Sequence, residues 1–183
     1  MKRWVLLWAC LWSLSVQAQV DKHIRYVDDY YRYVENQRVN EEYHFNQFVL
    51  NVQDKLFPDG VRYTRQERYF YVYKDGAAPK LRTILILINN GNVRYNKEFV
   101  YDLGDELLFY FEGQNDIEKY NFRTMKVYFD AEKLSAVIEG NQQLSEAETH
   151  QKYRPKAQTI LEEAHYFKQK FYDQQVAEIE KLR

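Results

Sequence analysis

The chain has 183 residues, about one domain's worth, with 26 basic against 27 acidic residues and a formal net charge of −1. Residues 1–18 hold two of the basic residues, Lys2 and Arg3, and none of the acidic ones, so the remainder carries 24 against 27, a net −3. That balance excludes a nucleic-acid binder held by phosphate charge alone. The one cysteine, Cys10, and all three tryptophans, Trp4, Trp8 and Trp12, also fall in residues 1–18; disulfides, thiolate zinc sites and cysteine nucleophiles are therefore excluded beyond them.

The opening segment MKRWVLLWACLWSLSVQA reads as a secretory signal, with Lys2 and Arg3 as its positive start and Val5 to Leu14 as its apolar run. Val16-Gln17-Ala18 is a small-x-small site, and cleavage is expected after Ala18. A retained anchor needs about 20 apolar residues, more than this run supplies. Lipidation at Cys10 is disfavoured by Trp8 just upstream and by the apolar run continuing past it. The mature body, 19–183, is expected to be one soluble domain outside the cytoplasm, secreted or periplasmic, without stable membrane insertion. A domain this size needs no disulfides to bury a core.

From Val20 to Leu56 there is neither glycine nor proline. Ile24, Val27, Tyr31 and Val34, then Phe45, Phe48, Val52 and Leu56, recur in steps of three and four. This predicts helix over 20–57, as one long helix or a pair breaking near Asn36–Asn40, before Pro58 and Gly60 end it. From 61 to 140 the period changes to two. Strands are predicted at 67–74, 81–89, 92–102, 106–112, 119–129 and 133–139, with Asn90-Gly91 as the clearest hairpin signal. Connections this short allow only an antiparallel meander. Strand 81–89 is apolar on both faces and is expected in the centre, covered on both sides. In 106–112, Leu107, Phe109 and Phe111 are expected to face inward and Tyr110 outward. Helix returns over 145–183, where Ser145 and Glu148 form a capping box, Pro155 suits a first turn, and Ile160, Ala164, Phe167 and Phe171 share a face. The fold class is α+β: helix or helix pair, meander of about six strands, long C-terminal helix.

Two phrases in the sheet region, FVYDLGDELLF at 99–109 and RTMKVYFD at 123–130 continuing through Lys133-Leu134, carry a resemblance. Over roughly residues 80–140 the chain resembles secreted bacterial proteins of Bacteroidetes-like organisms that have no assigned function. It departs from their pattern at Ala131-Glu132, where a glycine would be expected. The resemblance implies a secreted protein and carries over no activity, cofactor or catalytic residue.

The residues offer few constellations for chemistry. Glu41 and His44, and Glu162 and His165, are Glu-x-x-His steps like those of carboxylate-bridged di-metal bundles, but the two further glutamates such a site needs are not evident. No metal and no cofactor are expected. Ser135 sits within a strand and Ser145 at a cap, so neither is a nucleophile. Asp102, Asp105 and Glu106, with Glu112 and Asp116, could supply paired carboxylates to an envelope-polymer hydrolase. The 17 tyrosines and 11 phenylalanines, all beyond residue 18, are the outstanding feature. Tyr69, Tyr71 and Tyr73 share one strand face, and Arg82 and Arg94 could meet across the hairpin. Half-buried boundary and recognition surface both suit such a set. The expected function is non-enzymatic binding of a protein or an envelope glycan through Tyr69, Tyr71, Tyr73, Arg82 and Arg94; the alternative is the hydrolase near Asp102–Glu112. Packing of the long helices on another copy is disfavoured by Arg38 and Glu41 in the apolar stripe, and dimerisation through a sheet edge stays open.

Overall fold

The computed structural model describes residues 2–58, 60–73 and 77–181, with side chains from Ala18 onward. Helix α1 (Lys2–Val39) is followed by eight strands: β1 (His44–Leu50), β2 (Tyr63–Val72), β3 (Lys80–Asn90), β4 (Val93–Tyr101), β5 (Leu107–Asp116), β6 (Asn121–Asp130), β7 (Lys133–Glu139) and β8 (Gln142–Gln143). Helix α2 (Glu146–Lys170), a π-helical turn (Phe171–Val176) and a short α3 (Ala177–Lys181) close the chain. The sheet is one antiparallel meander in sequence order, as the short connections require. The side chains expected for the secretory signal, 1–17, lie outside the described ones.

The largest correction concerns residues 44–57. The helix expected there ends at Val39, and His44–Leu50 instead pairs with β2, His44 opposite Tyr71 and Leu50 opposite Arg65. The spacing Phe45, Phe48, Val52, Leu56 also suits a strand with two apolar faces, and the free edge of β2 decides between them by supplying backbone partners. With β8 this makes eight strands where about six were expected, spanning 44–143.

The hairpin after β3 turns on Gly91-Asn92, one residue beyond the expected Asn90-Gly91, because Asn90 already pairs with Val93. Gly91 takes φ 57°, the first central position at which a II′ turn places glycine. The β6–β7 turn puts Ala131 (φ 47°) and Glu132 (φ 58°) in the left-handed region without a glycine.

Each face of the sheet carries one helix, α1 on one and α2 on the other, and β3 is apolar on both sides: Ile84 and Ile86 meet α2, and Leu85 belongs to the α1 cluster. A bulge between Val100 and Tyr101 leaves Leu108 as the extra residue on β5. It reverses the expected facing: Leu107 and Tyr110 go to the α2 side, and Phe109 and Phe111 to the α1 side. The outward position expected for Tyr110 is thus a buried one.

Contacts fix how each helix crosses. His23 of α1 bonds the β6 carbonyl of Phe129 at 3.0 Å, and the Arg38 guanidinium lies over the β2 ring of Phe70 at 5.7 Å. Fifteen residues at 1.5 Å each advance about 22 Å, close to the ~19 Å spanned by four strand spacings. Helix α1 therefore runs across the strands, at one end of the sheet. Helix α2 crosses farther, from β7, where Lys152 pairs with Glu139, to β2, where Lys170 pairs with Glu67. The Ser145–Glu148 capping box starts it, which places Pro155 inside the helix rather than in its first turn. Its stripe Ile160, Ala164, Phe167, Phe171 is buried as expected, and the π turn keeps Val176, five residues past Phe171, on the same buried face.

Candidate functional site

Much of the tyrosine surplus is core, while Tyr26, Tyr33, Tyr120 and Tyr166 are exposed. Tyr69, Tyr101, Tyr110 and Tyr128 are fully buried, and each hydroxyl donates: to Glu67 Oε2 at 2.5 Å, Ala164 O at 2.8 Å, Glu112 Oε2 at 2.7 Å and Asp28 Oδ1 at 3.0 Å. A tyrosine buried with its oxygen satisfied fills volume as phenylalanine does and adds a directed bond. Burial pushes all four hydroxyls above their ordinary value.

This placement bears on the residues picked from sequence. Tyr69 stacks on Phe171 under the C-terminal end of α2, Tyr71 meets the same ring at a tilt, and Tyr73 is half-buried at the rim beside His44. The face they share is the covered one. Arg82 and Arg94 do not meet: Arg94 stands opposite Asn89, while Arg82 is the bulged residue at the far end of β3, its Nη1 donating to Leu81 O (3.0 Å) and Asp102 O (3.2 Å). Glu41 lies in the loop after α1 with φ 60°, and His44 on β1, so that Glu-x-x-His step is not helical. Glu162 and His165 are on α2, where His165 pairs with Glu132 at 2.8 Å. Among the described residues no group of three or more His, Cys, Asp or Glu side chains is placed to hold a metal.

The carboxylates of the alternative reading fall into two groups, Asp102, Asp105 and Glu106 at one turn and Glu112 with Asp116 on β5. Asp102 Oδ1 accepts from the N–H groups of Gly104 (2.8 Å) and Glu106 (2.9 Å) and so builds its turn. Glu112 stands opposite Lys97, five residues up β4 from Asp102, or about 16 Å at strand rise. Paired glycosidase carboxylates sit roughly 5–9.5 Å apart. Burial alone would raise the Glu112 carboxyl, but the Tyr110 hydroxyl and the Lys156 ammonium outweigh it and hold it below its ordinary value.

What the sequence reading missed is the half of the α1-side face that α1 does not cross. There the strands form an open groove of about 570 Å³. Strand alternation builds it: Thr64 and Gln66 on β2, Leu87 and Asn89 on β3, Arg94 and Asn96 on β4, Phe111, Gly113 and Asn115 on β5. Each is two residues from its neighbour on the same strand and therefore on one face. Phe122 of β6, 67% exposed, closes one side, and Val49 with Val52 the other.

The groove mixes amides with apolar and aromatic side chains. Among its described lining residues there is no carboxylate, and Asn and Gln side chains predominate over charged ones. Asn89 is satisfied by Thr64 Oγ1 at 2.9 Å, whereas Asn96 Oδ1 is buried without a hydrogen-bond partner among the described residues. Arg94 makes no ion pair among them either. A Cβ placed on Gly113 would rest against the Phe111 ring at 3.4 Å and that of Phe122 at 3.7 Å, so this glycine keeps the floor between the rings open. The signal in the sequence was the recurrence of amides and small residues at every second position on four adjacent strands.

At the border between α1 and the groove's strands lies a buried carboxylate. Glu98 accepts from Tyr31 Oη (3.1 Å) and Thr83 Oγ1 (3.3 Å), with Arg38 Nη1 at 3.9 Å. Burial dominates these partners and raises its carboxyl above the ordinary 4.5.

The fold is thus an α+β three-layer sandwich with an eight-stranded antiparallel meander between crossing helices. Comparison with protein-family models, with curated proteins and with solved structures gives no match. No helix of the described residues is long and apolar enough to cross a membrane.

Proposed function

We propose that the protein is a secreted or periplasmic, non-enzymatic binding domain whose ligand lies in the open groove. The ligand class is a hydroxyl-rich envelope glycan bearing an acidic group. The observation that carries this reading is the lining itself: amide groups and Arg94, which makes no ion pair among the described residues, beside two phenylalanine rings, with no carboxylate among the described lining residues. An amide offers both donor and acceptor, which matches a sugar hydroxyl, and a phenyl ring matches the apolar face of a sugar. Arg94 meets the acidic group of the ligand. The groove volume of about 570 Å³ lies within the usual range for ligand sites, roughly 300–1,000 Å³.

The signal-like segment and the resemblance of residues 80–140 to secreted bacterial proteins support the location. Cleavage after Ala18 leaves an α1 that begins at Gln19 and retains its core residues Ile24, Val27 and Val34.

The test is calorimetric titration with soluble acidic polysaccharide fragments from the cell envelope. Wild type binds, Gly113→Leu fills the floor and abolishes binding, and Arg94→Ala weakens binding to acidic fragments alone. Binding that survives Gly113→Leu in a folded variant places the ligand elsewhere. The intact mass of protein from the envelope fraction checks the location: a chain starting at Gln19 supports it, and an uncleaved chain sinks it.

A further inference from the structure

The two edges of the sheet are unlike. The opposite edge is made by β7 and the two-residue β8, Gln142–Gln143, and the stretch of β7 that β8 leaves unpaired begins with Lys133; a short strand and an edge lysine are both ways natural sheets blunt an edge. The β1 edge, His44–Leu50, is seven residues long and has no lysine, arginine, aspartate, glutamate or proline. Such a strand offers a row of backbone donors and acceptors with none of the usual guards.

Exposed apolar surface gathers at the same edge. Of the 15 exposed large hydrophobic residues among the described ones, eight lie between Val39 and Val61, including Phe45, Phe48, Leu50 and Val52. Val52 is 77% exposed and Val39 70%. A concentration of this kind marks an interaction surface rather than the scatter normal for a monomer.

We infer that β1 pairs antiparallel with β1 of a second copy of this chain, joining two sheets into one across a two-fold axis at Gln47. The strand's own sequence selects this occupant. With Gln47 facing its copy, Phe45 stands opposite Val49 on the α1 side, and Asn46 opposite Phe48 and His44 opposite Leu50 on the α2 side. No like charges meet in that register, so a neutral strand is its own complement. Beyond the strand, the same register brings Val39 of one copy toward the Val52–Leu56 segment of the other. Closure follows from the two-fold: β1 of each copy is occupied by β1 of the other, so the pairing is isologous and stops at a dimer. Because a two-fold between antiparallel strands is perpendicular to the sheet, both α1-side faces look the same way. This inference stands independently of what the groove binds.

Sedimentation velocity on protein purified from its own cells tests the pairing. The expected result is a reversible dimer, with Gln47→Lys, which sets two ammonium groups face to face, weakening it at least about tenfold while circular dichroism stays unchanged. A second variant holds if Gln47→Lys disturbs the fold. In a Cys10→Ser background, Gln47→Cys oxidises to a disulfide dimer, because directly opposed antiparallel residues have Cα atoms about 4.5–5.5 Å apart, within disulfide range. Gln143→Cys at the blunted edge does not cross-link. A monomer up to roughly 100 µM, or no cross-link through position 47, overturns the inference and leaves the edge to an extended segment of another protein.

Discussion

The two faces of this sheet are made by the same strands yet end differently. The α2 face is crossed from β7 to β1, the helix and its π turn reaching far enough that Gln175 bonds Asn46 at 3.2 Å, and a smaller opening of about 400 Å³ remains beside the helix at Ile88 and Lys97. The α1 face is closed at one end only. Where α1 crosses, the strands present Phe70, Val100, Phe109 and Tyr128; beyond it the same strands present Gln66, Asn96 and Asn115. The difference teaches that coverage follows composition. Apolar positions recruit a helix by burial at about 25 cal/mol per Å², and the amides interleaved with Leu87, Phe111 and Phe122 leave a helix less to bury.

The largest effects should separate closed surface from open surface. Phe171→Ala under α2 and Phe109→Ala under α1 each remove a ring that is at most 1% exposed, and each should cost about 3–5 kcal/mol in urea unfolding. Phe122→Ala, on the open end, should stay within about 0.5 kcal/mol of wild type. A loss of several kcal/mol at Phe122 would mean that the open end is in fact closed, and the contrast would collapse.

Next comes the border. Glu98 is raised above 4.5, so the native state favours its protonated form more than the unfolded chain does. The stability this contributes is complete below pH 4.5 and is lost as pH rises through the raised native value. Glu98→Gln keeps an uncharged group beside Tyr31 and Thr83. Its stability relative to wild type should therefore improve as pH climbs from 4.5 toward neutrality. Parallel stability–pH curves for the two proteins would show that Arg38 already compensates the charge.

A smaller effect is expected at the β6–β7 turn. Ala131 holds φ 47°, where an L side chain is strained and glycine is not. Ala131→Gly should raise stability by about 1 kcal/mol, measured by the denaturation midpoint. A decrease would mean that the flexibility glycine adds to the unfolded chain outweighs the relief.

The sequence disclosed much of the frame. The change of period from three–four to two located the meander, the two-sided apolar run Ile84–Ile88 marked a central strand, and Ser145 with Glu148 marked the start of α2. It hid β1, because Phe45, Phe48 and Val52 fit a helix face as well as a two-faced strand, and only the unpaired edge of β2 selects between them. The tyrosine face was hard to place for a related reason. Tyr69 and Tyr71 look like a recognition surface until α2 covers them, and each hydroxyl finds a partner (Glu67 and Asn46) far from solvent or at its rim. Of the five residues expected to bind, Arg94 alone lies in the groove. The groove was hard to read because its amides are ordinary in isolation. They become a surface only when register aligns four strands and α1 stops short of them.

The smallest predicted effect is the most discriminating. Asn96 pairs with Gly113 across β4 and β5, and its Oδ1 is buried without a partner among the described residues. A buried acceptor left unpaired costs free energy that an apolar side chain of similar size would not. Asn96→Val should therefore stabilise the free protein by about 0.5 kcal/mol, with valine also favoured in a strand. If the ligand contacts the Asn96 amide, the same change should lower its affinity by about tenfold, because valine offers the ligand no hydrogen bond. Gain of stability with loss of affinity would identify Asn96 as a residue kept for the ligand. Loss of stability would mean that the amide serves the fold, and the open end would then be a structural surface like the closed one.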